Sequence, residues 1–175
     1  EPAAKQQLLL YCDYDCTLIN NELEKLSVYT AGQPKISRAD VDAVVSSNAT
    51  ASIFNLIDYV ATGNLSQSLR ALEQVTLSEA PESVLPRLAD HFQTLYIVRE
   101  MQQQGYTVKE IMSASGKGYP FVIEKAGRQA VKYTERKLQK ALETLLMADR
   151  KFKSGVSDIM DAIETAIIQI CLLSR

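Results

Sequence analysis

The chain has 175 residues, 46% of them hydrophobic, and a net charge of −2, enough for one medium domain or one domain with part of another. No apolar run approaches the ~20 residues that span a bilayer. Residues 1–10 lack the ordered charged, apolar and small-residue zones of a signal peptide, so a soluble, cytoplasmic protein with no membrane contact is expected.

The charge is uneven: residues 1–100 carry 7 Lys/Arg against 13 Asp/Glu, whereas residues 101–175 carry 12 against 8. The two halves are therefore expected to face different surroundings, although the imbalance is too mild to signal nucleic acid by itself. The chain opens on Glu1 rather than Met, as expected of a piece of a longer protein.

Apolar spacing is helical throughout, and an all-α bundle of nine or so helices is expected. Ile19, Leu23 and Leu26 recur at helical intervals before a linker over Gly32 to Lys35. Ser37 and Asp40 then resemble a capping box, with Ile36 and Val41 at staple spacing. A weak seam at Ser46-Ser47-Asn48 separates this region from a face made by Ile53, Leu56, Ile57 and Val60. Gly63 ends that helix, and Asn64 caps one carrying Leu65, Leu69, Leu72 and Thr76.

Leu85, Leu88, Phe92, Leu95 and Tyr96 line a longer helix ending near Gln104. Its start is ambiguous. Pro81 suits a first turn, but Pro86 would then kink the helix, unless the helix begins later. Thr107 and Glu110 form a full capping box, with Tyr106 and Ile111 as its staple. Gly116 to Gly118 form a turn, and Pro120 opens the next helix. Inside that helix lies Gly127, where glycine costs roughly 1 kcal/mol relative to alanine. Close approach by another helix, from this chain or a neighbouring subunit, would explain its presence. Thr134 and Ser157 are N-cap candidates for two final helices, lined by Leu138, Leu142 and Leu145 and by Ile159, Ile163, Ile167 and Ile170.

The residue inventory offers little chemistry, and no catalytic site, cofactor or metal is expected. Cys12, Cys16 and Cys171 form no disulfide framework. Cys12 and Cys16, four apart, would share a helix face as packing thiols. His91 lies among Leu88, Phe92 and Leu95, as a packed or surface histidine does. Gly116-Lys117-Gly118 is not a phosphate loop. The pattern G-x-x-x-x-G-K-S/T after a strand is missing. The two helices flanking this turn admit a helix-turn-helix, DNA-binding regulator as an alternative function. However, Tyr119-Pro120-Phe121 stands where polar base-reading side chains belong. A basic stretch runs from Lys125 to Lys153, in which Lys125, Arg128 and Lys132 share one face. Such a face is either merely solvated or a contact surface for an acidic partner or a nucleic-acid backbone.

Several stretches together resemble one family. Asn21-Glu22-Leu23-Glu24-Lys25-Leu26, Ile36 to Val41, Ile53-Phe54-Asn55-Leu56-Ile57-Asp58, Gly63-Asn64, Tyr119-Pro120-Phe121-Val122 with Lys125-Ala126, and Ala148-Asp149 with Lys153 and Gly155 occur in family order. The set is similar to the delta subunit of the bacterial DNA polymerase III clamp loader. The resemblance implies that residues 1–46 end the helical lid domain and residues 47–175 form the helical collar, an oligomerisation domain. It implies assembly with the tau/gamma and delta-prime subunits through the collar, with DNA present in the full assembly. The sliding clamp would be gripped by an N-terminal domain lying outside this chain. Pro86 departs from the family pattern. Tyr119, Phe121, Lys125, Gly127, Arg128 and Lys132 are the candidate subunit interface, with apolar anchors at its centre and the basic face setting register.

Overall fold

The computed structural model describes residues 1–12, 16–45 and 49–174, and within these the chain is all-α. The elements are α1 (Pro2–Tyr11), α2 (Cys16–Tyr29), α3 (Arg38–Val45), α4 (Ala49–Thr62), α5 (Leu65–Thr76), a 3₁₀ turn (Pro81–Ser83), α6 (Val84–Gln103), α7 (Val108–Ser115), α8 (Pro120–Ala130), α9 (Glu135–Lys153) and α10 (Ile159–Leu173). The seam expected at residues 46–48 lies outside the described residues.

Local chemistry sets most helix starts. At α3, the Asp40 carboxylate accepts from the Ser37 backbone N–H and hydroxyl, both at 2.7 Å, and Asp40 N–H donates back to Ser37 Oγ. The same reciprocal box joins Thr107 and Glu110 at α7. The Thr107 hydroxyl first, and its backbone N–H second, hold the Glu110 carboxyl below the usual carboxylate range. Asn64 and Thr134 cap α5 and α9 by accepting from Gln67 N–H and Lys137 N–H. The α10 cap is Asp158, which accepts from Met160 N–H at 2.7 Å, not the expected Ser157. A carboxylate beside the unpaired N–H groups of the first turn is the stronger acceptor. Pro86 is also accounted for. Pro81 opens only a 3₁₀ turn and α6 starts at Val84, so Pro86 sits in the first turn, where no N–H is required.

Cys12 ends α1 and Cys16 begins α2. The two therefore belong to different helices, Cys12 buried and Cys16 exposed, and do not share one helix face as expected.

Two hydrophobic clusters result. The larger draws on α4 through α10 and includes Leu56, Phe92, Ile123, Leu138 and Ile163, all essentially inaccessible. The smaller joins α1, α2 and α3 through Ala4, Leu8, Tyr11, Leu26, Val41 and Val45. Phe54 of α4 packs against both. Tyr133, between α8 and α9, is buried, meets Phe92 edge-on with ring centroids 5.8 Å apart, and donates its hydroxyl to Ala61 O at 3.0 Å. That bond satisfies a carbonyl in the last turn of α4 and holds the α8–α9 corner over it. No helix among the described residues is long and apolar enough to cross a membrane.

Candidate functional site

A trough lies along one side of α8. Its first compartment, about 540 Å³, is walled by α4, α6, the α7–α8 loop and α8, with Phe54, Ile57, Pro86, Tyr119 and Val122 among its apolar lining. A second compartment, about 310 Å³, lies between α1 and the C-terminal half of α8. Leu10 and Lys125 line both, so the two share a wall.

A hydrogen-bonded chain forms the polar side of the first compartment. Lys125 Nζ meets Asp58 Oδ2 at 2.5 Å, and Gln129 Nε2 donates to Asp58 Oδ1 at 3.1 Å. Lys125 and Gln129 stand one turn apart on α8 and so reach one carboxylate together. Because Asp58 can only accept, the Gln129 amide nitrogen must face it. The Gln129 carbonyl oxygen then faces His91 Nε2 at 2.9 Å, so the imidazole carries its proton on Nε2 and donates it. Desolvation pushes the His91 pKa below its ordinary 6.5; Asp58 works against this and Lys125 with it. Across the compartment Lys117 pairs with Asp90 at 2.6 Å. Gly116-Lys117-Gly118 is thus the interhelical turn expected, and its lysine is engaged by a carboxylate.

The second compartment has a different character. Arg38, Lys125, Arg128 and Lys132 line it together with glutamines, and no carboxylate does. Arg128 is exposed and has no ion pair among the described residues. Lys132 donates to the Thr62 carbonyl at 3.5 Å and has no ion pair among the described residues.

The six candidate interface residues are therefore not equivalent. Tyr119 is exposed on the loop, with its ring 5.9 Å from that of Phe121. Phe121, Arg128 and Lys132 line the second compartment. Lys125 is held by Asp58. Gly127 is buried, and a Cβ there would meet the end of the Gln102 side chain, on α6, at 2.7 Å. The neighbour over this glycine thus lies within the same chain. The reading from sequence missed Asp58, His91 and Gln129 as one group. The only local signal was the four-residue spacing of Lys125 and Gln129.

The helix-turn-helix alternative is not supported. Only Pro120, Glu124 and Arg128 are exposed on α8, whereas a recognition helix presents three or four polar side chains to base edges. No group of His, Cys, Asp and Glu suited to a metal occurs among the described residues.

Comparison with known proteins agrees with the all-α architecture. A curated relative, DNA polymerase III subunit delta of Bacillus subtilis (strain 168), is 25% identical over 168 residues, 95% of this chain and 48% of the relative. The solved structure of the Bacillus subtilis DNA clamp loader delta protein superposes with a TM-score of 0.74 at 25% identity, covering 97% of this chain and 50% of that one. The chain thus spans about half the length of the proteins it matches. The family described as DNA polymerase III delta subunit, C-terminal domain, matches residues 50–170, the stretch that builds α4 to α10, and the chain belongs to that family.

Proposed function

We propose that this chain is the subunit-assembly part of a DNA clamp loader, working in the cytoplasm without chemistry of its own. In this reading residues 1–46 are the end of the lid domain and residues 47–175 the collar, which packs beside the tau/gamma and delta-prime collars. The observation that carries it is the family match over residues 50–170, which coincides with the larger hydrophobic cluster. The two clusters, bridged at Phe54, support a division near residue 46. The sliding clamp and DNA would be met by the whole assembly, the clamp through a domain that this chain does not include.

Two surfaces suit partner contact. One is the α8 surface already described, with Tyr119, Phe121, Arg128 and Lys132 available to a partner and Lys125 and Gly127 shaping it from within. The other is the outer side of α9 and α10. There Leu146, Met147, Ile168 and Leu172 are 39–55% exposed, and apolar side chains of this kind anchor interfaces. Light scattering on a sizing column, with this chain mixed with the other clamp-loader subunits of the same source, tests the reading. A complex of larger mass that Leu172→Asp abolishes is the expected result. Monomers throughout, for this chain and for the full-length protein, would refute it.

A further inference from the structure

The two compartments beside α8 differ in chemistry and adjoin at Leu10 and Lys125, which sets an apolar end next to a cationic end. Over Pro120–Ala130 α8 rises about 16 Å at 1.5 Å per residue, and Tyr119 and Lys132 lie just beyond its two ends, for a span on the order of 20 Å. That exceeds the reach of a mononucleotide-sized ligand and equals about six residues of extended chain. Unpaired cationic charge lies at one end. Among the described residues Arg128 and Lys132 have no carboxylate partner there, whereas Arg87 and Lys117 at the other end and Lys125 in the shared wall are paired with Glu79, Asp90 and Asp58. A nucleic-acid strand, with a phosphate at every nucleotide, would lay charge over Phe54, Ile57 and Val122 as well. A polypeptide can carry charge at one end and apolar side chains at the other.

We propose that this trough is a binding site for an acidic, amphipathic peptide segment of a partner subunit, its carboxylates at Arg128 and Lys132 and its apolar side chains between Phe54 and Tyr119. The inference rests on the assembly reading for the source of the segment, and replaces a flat contact at α8 with an inserted one. Gln6 lines the same end, is exposed and can supply an amide donor to a carboxylate. His91 adds no charge to the apolar end at pH 7, its Nε2 proton being held by Gln129 and burial lowering its pKa. Electrostatic attraction at the open cationic end speeds encounter, and burial of the apolar side chains slows release.

The test is fluorescence anisotropy of the 175-residue chain with a labelled eight-residue peptide. The peptide carries three glutamates at one end and leucine, phenylalanine and leucine at the other. The expected result is saturable binding that weakens at least about tenfold with Arg128→Glu plus Lys132→Glu, or when the peptide's charges are interspersed among its apolar residues. Tyr119→Ser is expected to weaken binding by a similar factor. All three side chains are exposed, so the circular-dichroism melting curve should not move. Equal binding by parent and doubly reversed chain, equal binding of the interspersed peptide, or no binding overturns the proposal. So does a labelled oligothymidylate that binds more tightly and is lost on the same reversal. Larger complexes that still form, unaffected by the double reversal, while the peptide fails to bind would remove the trough and leave the assembly reading standing.

Discussion

Asp58 and Lys125 are 67 residues apart in the chain and meet at 2.5 Å in the wall of the trough, each side chain about a quarter exposed. The pair ties α4 to α8, and Gln129 extends it to His91 on α6. Three helices of the bundle are thus joined by one run of polar contacts beside an apolar cavity.

Removing one member of that pair should cost more than losing a surface ion pair. Lys125→Met would leave the Asp58 carboxylate in a half-buried place with the Gln129 amide as its neutral donor. Exposed pairs contribute roughly 0–1 kcal/mol, and breaking a fully buried one costs about 3–5 kcal/mol. The expected loss here is about 1–3 kcal/mol, read as a lower urea midpoint. Adding Asp58→Asn should recover part of it, since the uncompensated charge goes. If the two effects simply add, the residues are not coupled. The exposed pair Lys140–Glu143 should give nothing measurable in the same assay.

His91 should make stability depend on pH in a window that belongs to it, because it is the chain's one histidine. Its folded pKa is lowered, chiefly by desolvation, from the ordinary 6.5. Below that value the unfolded chain takes up the proton before the folded chain does. The stabilisation is therefore fully present above about pH 6.5 and is lost as pH falls toward the folded value. Asp58, the hydrogen bond to Gln129 and Asp90 oppose the shift and Lys125 favours it, so the sign rests on burial outweighing those three. The midpoint of urea unfolding should fall between pH 7 and pH 5.5, and His91→Gln should flatten that fall. Proton NMR of the single imidazole should show titration below 6.5; titration above it would reverse the sign.

These relationships mark where reading from sequence stops. Helix starts are written within four residues. Ser37 with Asp40 and Thr107 with Glu110 are legible because the donor and acceptor of each box are near neighbours. The shift from Ser157 to Asp158 is a choice between adjacent acceptors, decided by which side chain reaches the open N–H groups. Pro86 is resolved only once α6 is seen to start at Val84. Asp58, His91 and Gln129 come from three helices, and nothing local brings them together. Likewise the shared face of Lys125, Arg128 and Lys132 is legible from spacing, but the opposing α1, which makes it a trough, is not.

Tyr11 should couple the N-terminal helices to the bundle. Its hydroxyl lies 2.8 Å from Asp42 Oδ1 on α3 and 2.9 Å from the Asn55 side chain on α4. A hydroxyl has one proton to give, and the carboxylate is the stronger acceptor, so Asn55 must turn its amide nitrogen to donate to the phenol oxygen. Burial first, and Asp42 second, raise the Tyr11 pKa, so it stays protonated. Tyr11→Phe keeps the ring in the smaller cluster and removes both bonds. The expected loss is about 1–2 kcal/mol, between a neutral and a charge-assisted hydrogen bond. Amide exchange over residues 2–11 should quicken more than exchange in α9; uniform quickening would argue that the bonds stabilise the whole rather than this junction.

Two glycine-to-alanine changes should have opposite signs. Gly127 lies in α8 with ordinary helical backbone, and a new Cβ would meet only the end of the exposed Gln102 side chain, at 2.7 Å. That side chain can swing away, so Gly127→Ala should recover most of the roughly 0.5–1 kcal/mol that glycine costs in a helix. Gly63 has φ +76°, and its Cβ would fall 1.8 Å from Ser174 Oγ and 3.4 Å from the Cys171 carbonyl oxygen. Alanine there meets left-handed backbone strain of about 1–2 kcal/mol, and Ser174 must leave the bond it donates to Cys171 O at 2.8 Å. Gly63→Ala should therefore lower the melting temperature and Gly127→Ala raise it or leave it unchanged. If Gly127→Ala instead destabilises strongly, Gln102 is locked in place and the packing of α6 on α8 at this point is tighter than a movable side chain would make it.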